Sequence, residues 1–178
     1  MSRILRDEEI TALLTEGKPL PARWSKRLEP RSKPGDAHKR RALKVHGNNG
    51  SLFRIDVRQN GGALFDFSII LTFVDGDGAE YRLVRFNGKH PSDHTNKWER
   101  RRNRPNARFR NAFHIHQATE RYQTEPGCTI DGYAEVTNRY HSFESALQAF
   151  VGSNGFFVES LAAPESQPLL PFSDEDNP

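Results

Sequence analysis

The chain has 178 residues, carries 26 Lys and Arg against 23 Asp and Glu, and is only 35% hydrophobic, which suits one modest globular domain with polar extensions. It contains no apolar run near the roughly 18 residues of a membrane helix, and residues 1–8 lack the apolar stretch of a secretory signal. The single cysteine, Cys128, excludes an internal disulfide and a Cys-rich zinc site, so we expect a soluble, cytoplasmic protein with no membrane partner.

The N-terminal part of the chain is predicted to be a helix followed by a basic arm. Asp7 is placed to cap a helix, and Ile10, Leu13 and Leu14 give that helix an apolar stripe. Residues 18–44 then hold four prolines and ten basic side chains against two acidic ones. We therefore separate residues 1–44 from a single domain at 45–160.

The central part of the chain alternates between apolar and polar residues, as strands of a half-buried sheet do. Strands are predicted at 51–58, 64–74, 80–87 and 111–118, with a further short strand at 132–138. A helix over 142–152, with Ser142 as its N-cap, has the spacing of a core-facing helix. The prediction is an α+β fold in which a four- to five-stranded antiparallel sheet has a helix on one face and a polar groove on the other. Residues 161–178 are predicted to be a flexible acidic tail.

Charge is concentrated in a long polar stretch between the third and fourth predicted strands. Residues 97–121 carry eight basic and two acidic side chains, and aromatic rings lie among the arginines. Guanidinium groups pair with phosphate and aromatic rings stack on bases, so this composition favours a nucleic-acid partner. The candidate nucleic-acid-binding residues are Trp98, Arg100, Arg101, Arg102, Arg104, Arg108 and Arg110.

Four histidines are candidates for a reactive site. In the strand at 111–118, His114 and His116 lie on one face, about 6.6 Å apart, while Phe113 and Ile115 point into the core. If the strand at 80–87 is its antiparallel neighbour, the loop that follows can bring His90 and His94 close. Arg85, on that neighbouring strand, is then placed to stabilise charge.

The order of these residues resembles the TumE-type bacterial proteins, the toxin components of toxin–antitoxin pairs. The resemblance covers about residues 64–150 and depends on Leu83, Arg85, Asn87, His90, His94, His114 and His116. The chain departs from that pattern where Asn87 replaces an acid, where the proline before the histidine pair is missing, and in the arginine-rich stretch. The resemblance implies a toxin-like, RNA-directed role and an antitoxin-like protein partner.

Three functions are compatible with these residues. The leading hypothesis is a metal-independent endoribonuclease that needs no cofactor, in which His114 or His116 is the base, another histidine is the acid, and Arg85 stabilises the transition state. A second is a non-catalytic module that binds nucleic acid or protein. A third is a metal-dependent nuclease whose ion is held by His90, His94, His114 and His116.

Overall fold

The computed structural model describes residues 3–32 and 35–158. The helices are α1 (Asp7–Thr15), α2 (Trp24–Arg27), α3 (Lys97–Arg101), α4 (Glu120–Gln123) and α5 (Phe143–Ser153). The strands are β1 (Lys18–Leu20), β2 (His38–His46), β3 (Leu52–Asn60), β4 (Phe67–Val74), β5 (Glu80–Asn87), β6 (Asp93–Thr95), β7 (Arg108–Arg110), β8 (His114–Gln117), β9 (Tyr133–Val136) and β10 (Phe156–Val158).

The main sheet has six strands in the order β2-β3-β4-β5-β8-β9, and every neighbouring pair is antiparallel. The α+β class is therefore confirmed. The sheet has more strands than the expected four to five because β2 lies within the segment interpreted as a basic arm. Of its nine residues only Val45 is buried. An edge strand with so little buried surface does not show the apolar alternation that identifies a strand in sequence.

The core lies between one face of this sheet and α5. Inward-facing side chains of β3 and β4, such as Phe53, Ile55 and Ile69, are fully buried, and α5 contributes Leu147 and Phe150. As predicted, Ser142 caps α5, its hydroxyl accepting a hydrogen bond from the backbone N–H of Ser145 at 3.1 Å. In α1, by contrast, the N-cap is Arg6 and the helix begins at Asp7, one residue from the expected cap.

The N-terminal residues belong to the same core. Leu5, Leu20 and Leu28 are at most 2% exposed, and β1 pairs in parallel with β10 at the other end of the described chain. The expected boundary at residue 44 falls inside β2. The sequence places the acidic tail at 161–178, which lies outside the described residues.

A lysine is buried where the N-terminal segment meets the end of α5. The Lys18 ammonium donates hydrogen bonds to the backbone carbonyls of Leu13, Leu14 and Glu16 in α1 and its cap, and to that of Asn154, at 2.7–3.1 Å. Burial lowers the pKa of Lys18 to about 8, so the group remains charged at neutral pH. A single cation therefore satisfies carbonyls at the C-terminal ends of two helices.

The other face of the main sheet is polar, and one end of it is covered. The segment between β5 and β8 folds into β6, α3 and β7, and β6 pairs with β7 as a separate two-stranded ribbon. This ribbon lies over the end of the polar face formed by β5 and β8. Within the described residues, no helix has the length and apolar character needed to cross a membrane.

Candidate functional site

The histidine pair of β8 faces β5 across the sheet. The register places His114 opposite Asn87 and His116 opposite Arg85, while Ile115 lies opposite Phe86 on the core side. The alternation of side chains therefore follows the prediction from sequence. The expected open groove is absent at this point: His114 is 1% exposed and His116 3%, because the ribbon of β6 and β7 covers them.

The ribbon brings a third histidine into contact with the pair. The His94 ring lies 4.7 Å from that of His116 and 5.7 Å from that of His114, measured between centroids. Phe109 of β7 stacks on His94 at 4.8 Å and also contacts His114. His90 lies at the edge, 5.3 Å from His114. The four histidines singled out from the sequence are thus neighbours in space.

Each histidine of the pair uses one ring nitrogen to donate to a backbone oxygen. The Nδ1 atom of His114 lies 2.8 Å from the carbonyl oxygen of Ala112, and that of His116 lies 2.9 Å from the carbonyl oxygen of Asp131. A carbonyl only accepts hydrogen bonds, so Nδ1 carries the proton in both rings. In the neutral imidazoles the lone pair is then on Nε2, which lies 3.2 Å from the Asn87 amide nitrogen in His114 and 3.3 Å from Nη2 of Arg85 in His116.

The third histidine is oriented by Asn96, a fully buried residue. The Asn96 amide nitrogen donates to the carbonyls of Asn106 and Ala134, and its Oδ1 accepts from the backbone N–H of Ala134, at 2.7–2.9 Å. These contacts fix which end of the amide is oxygen. The Nε2 atom of His94, 2.8 Å from that oxygen, must therefore donate, which leaves the lone pair of His94 on Nδ1.

The three imidazoles have the arrangement of metal ligands. One nitrogen from each of His94, His114 and His116 lies within 4.8 Å of those of the other two. Two nitrogens bound to one tetrahedral zinc ion are about 3.3 Å apart, given Zn–N bonds of about 2.0–2.1 Å. Movements of about 1 Å therefore close the site around an ion. In such sites the other ring nitrogen of each histidine ligand commonly donates its N–H to an oxygen, as the three histidines do here.

The electrostatics of the site keep the histidines neutral. Burial lowers the pKa of His94, lowers that of His114 to about 4 and lowers that of His116 to about 2; nearby Arg85 contributes in the same direction. Metal ions bind the neutral form of imidazole. At neutral pH all three rings are in that form.

Two polar groups next to the cluster are incompletely paired. The Nη2 atom of Arg85 lies 3.3 Å from Nε2 of His116, to which it can donate, and its Nε lies 3.3 Å from a carboxylate oxygen of Asp131, which is 1% exposed. The Nδ2 atom of Asn87 lies 3.2 Å from Nε2 of His114, and its Oδ1 is buried without a hydrogen-bond partner. An unpaired amide oxygen beside His114 fits a site that holds a cation or a water molecule.

A pocket leads to the cluster from solvent. It has a volume of about 370 Å³, and Arg85, His94, His116 and Cys128 are among the residues that line it. A volume of this size is typical of small-molecule sites. The pocket gives a substrate access to one side of the otherwise buried histidines.

The arginine-rich stretch is folded and largely neutralised by acidic residues. Arg101 and Arg102 form ion pairs with Glu125, and Arg108 and Arg110 form ion pairs with Asp93. The ring of Trp98 packs against the guanidinium groups of Arg102 and Arg121. Among the seven candidate nucleic-acid-binding residues, only Arg100 and Arg104 are exposed without an ion pair inside the described part of the chain.

Asn96 and Asp131 are the site residues that sequence reasoning missed. The spacing of His94 and Asn96 is the only local signal for the first, since residues two apart on an extended segment share a side. Asp131 contacts Arg85 from a loop 46 positions further along the chain, and nothing local marks it. No protein-family model, curated protein or solved structure matches the chain.

Proposed function

We propose that the protein is a divalent-metal-dependent nuclease whose ion is held by His94, His114 and His116. One observation carries this proposal: one nitrogen from each of the three rings lies within 4.8 Å of those of the other two, and each ring also has a nitrogen that donates to an oxygen. Three imidazoles beside a pocket are typical of catalytic rather than structural zinc sites.

The neighbouring residues supply what hydrolysis of a phosphodiester needs. A divalent ion held by His94, His114 and His116 would supply a Lewis acid and a metal-bound nucleophile at neutral pH. Arg85 reaches the same point of the pocket and stabilises negative charge on the phosphate as the transition state forms. Asp131 holds the guanidinium of Arg85 through their ion pair and offsets its charge beside the ion.

The geometry favours this function over the metal-independent mechanism. That mechanism needs one histidine in the protonated form to act as the acid, and it needs His114 or His116 to reach the substrate as the base. His114 and His116 are buried, and their lowered pKa values keep them neutral at physiological pH. The resemblance to TumE-type proteins supports RNA as the substrate. A toxin-like role in the cytoplasm, with an antitoxin-like partner, belongs to the same proposal.

The test measures metal content and cleavage separately. The full chain is stripped with EDTA and reloaded with zinc; the bound metal is quantified, and labelled RNA and DNA are incubated with both forms. We expect one ion per chain and RNA cleavage that EDTA abolishes and zinc restores. His114→Gln and His116→Gln should lose both the ion and the cleavage. His141→Gln, which alters an exposed histidine, is the matched control and should retain both.

Each alternative gives a different result. Cleavage that resists EDTA would replace the proposal with the metal-independent mechanism. A gel shift of RNA without cleavage, at full zinc occupancy, would replace it with the non-catalytic module. Failure of the chain to retain zinc would remove the metal site itself.

A further inference from the structure

The uncovered part of the polar sheet face carries a second cluster of arginines, remote in sequence from the arginine-rich stretch. Its basic residues come from β2, β3 and β5. The members are Arg40, Lys44, Arg54, Arg58, Arg82 and Arg85. We call this set the basic face.

Strand register aligns the basic face with the histidine site. One row of side chains across the sheet runs Arg40, Arg58, Ser68, Asn87 and His114. The next row runs Ala42, Asp56, Ile70, Arg85 and His116. Both rows begin at the edge strand β2 and end at a proposed metal ligand on β8.

The basic face has more positive charge than its own acidic groups balance. Four carboxylates pair with its six cations: Asp36 with Arg40, Asp56 and Glu80 with Arg54, and Asp131 with Arg85. Lys44, Arg58 and Arg82 have no carboxylate within ion-pair distance among the described residues. A concavity of about 510 Å³ lies between Arg40, Arg54, Arg58 and Arg82, with Ile70 at its base.

This arrangement contrasts with that of the arginine-rich stretch. There, Glu125 and Asp93 each neutralise two arginines. A polyanion that bound that stretch would have to displace those carboxylates. On the basic face it meets three exposed cations, Lys44, Arg58 and Arg82, that are not paired with a carboxylate among the described residues.

We infer that the basic face binds the backbone of single-stranded nucleic acid and leads it, across β3, β4 and β5, into the histidine site. This inference rests on the proposed function, since it names the path by which that site's substrate arrives. Neighbouring strands are about 4.8 Å apart, so Arg58 on β3 and His114 on β8, in the same row, are separated by three strand spacings, about 14 Å. That length suits a short run of nucleotides rather than one phosphate group.

The side chains of the face also indicate how the strand is recognised. Arginine pairs with phosphate in a bidentate manner, and the two aligned rows contain no aromatic ring outside the histidines. Binding should therefore be electrostatic and tolerant of sequence. Because the ribbon of β6 and β7 covers His114 and His116, a single strand should reach the histidines more readily than a duplex.

The test is oligonucleotide binding by the full chain in EDTA, which removes any dependence on the ion. Fluorescence anisotropy is measured with fluorescein-labelled 12-nucleotide oligo(U), oligo(dT) and an RNA duplex over a range of salt concentrations. The variant combines Arg40→Gln, Arg58→Gln and Arg82→Gln. The control combines Arg23→Gln, Lys26→Gln and Lys39→Gln. It removes the same charge from exposed positions, and Lys26 and Lys39 line a pocket against α5 on the other side of the sheet.

We expect the variant to bind oligo(U) at least tenfold more weakly. The slope of log K against log salt should fall by about 2, since each phosphate contact to a single strand contributes about 0.7. The control should stay within twofold of the unmodified chain. Equal losses in variant and control, no loss in the variant, or tighter binding of the duplex would each overturn the inference.

Failure of this inference and failure of the proposed function give different results. If the chain cleaves RNA with zinc but the variant binds oligo(U) normally, the metal site stands and the path is wrong. If the variant loses affinity but the chain neither retains zinc nor cleaves, the basic face stands as a binding surface and the proposed nuclease is wrong. Comparing oligo(U) with oligo(dT) distinguishes RNA from DNA as the preferred strand.

Discussion

The Lys18 ammonium and the rings of the histidine cluster both bury nitrogen atoms, and they differ in the groups that surround those nitrogens. The Lys18 ammonium has four carbonyl acceptors and two aromatic rings around it. His94, His114 and His116 instead each place one nitrogen within 4.8 Å of those of the other two. A buried group with every partner in place contributes to folding, whereas convergent groups without a common partner cost stability and favour a ligand.

Substitution of Lys18 should have the largest effect on the free energy of unfolding. Lys18→Met removes the cation and leaves four carbonyls without their donor. The free energy of unfolding should fall by about 4 kcal/mol, as for other buried charges whose interactions are broken. Urea denaturation measures the loss, and Lys26→Met, at an exposed position, is the control with the same change of residue type. An unchanged midpoint would show that water replaces the ammonium without cost.

Lowering the pH should destabilise the fold by protonating the buried histidines. The folded-state pKa of His114 is about 4, below its usual value near 6.5, so between these two pH values the unfolded chain binds more protons than the folded one. Stability supplied by the neutral ring is full above pH 6.5 and is lost as the pH falls toward 4, on the order of 3 kcal/mol for this residue. Urea unfolding in EDTA at pH 7 and pH 4.5 measures the loss.

Other groups also titrate over this range, so a variant must separate their contribution. His114→Gln should lose less stability than the unmodified chain between the same two pH values. If both proteins lose the same amount, the ring is already protonated or is solvated in the folded state, and the contrast with Lys18 disappears.

The residue that orients His94 should affect metal affinity. Asn96→Ala removes the oxygen to which His94 donates, and loss of such a partner lowers metal affinity about 10- to 100-fold. Competition with a chromogenic zinc chelator gives the affinity of the folded protein. Circular dichroism checks that the variant is folded at the temperature used. Zinc affinity equal to that of the unmodified chain would mean that Asn96 only hydrogen-bonds the backbone of Asn106 and Ala134 and does not orient His94 for the metal.

How far the sequence predicts these two clusters depends on the distance between partners along the chain. Alternation places His114 and His116 on one face, and the adjacency of β5 and β8 places His90 and His94 near them, because these features are local or involve neighbouring strands. Lys18 contacts Asn154, 136 positions away, and Asn96 contacts Ala134, 38 positions away. Such contacts follow from packing the whole chain and leave no local pattern.

The strand β2 and the arginine-rich stretch show that the sequence also does not reveal which basic residues are ordered or paired. Both are basic in sequence, and both are predicted as irregular. In the fold, one is an ordered edge strand whose alternate residues form part of the basic face, and the other is held by Asp93 and Glu125. The position of the acidic partners, which composition along the chain does not reveal, decides which arginines are available.

The smallest expected change in stability is at His94. In His94→Phe the new ring can keep the stacking contact with Phe109, and Oδ1 of Asn96 keeps its hydrogen bond from Ala134. Stability in EDTA should therefore change by no more than about 1 kcal/mol. The unmodified chain should gain about 2.7 kcal/mol from zinc at a hundred times the dissociation constant, and the variant should gain nothing. Thermal unfolding with EDTA and with zinc measures both quantities. A large loss in EDTA would place His94 with Lys18, as a residue whose contacts hold the fold together, and would remove the distinction between the two clusters.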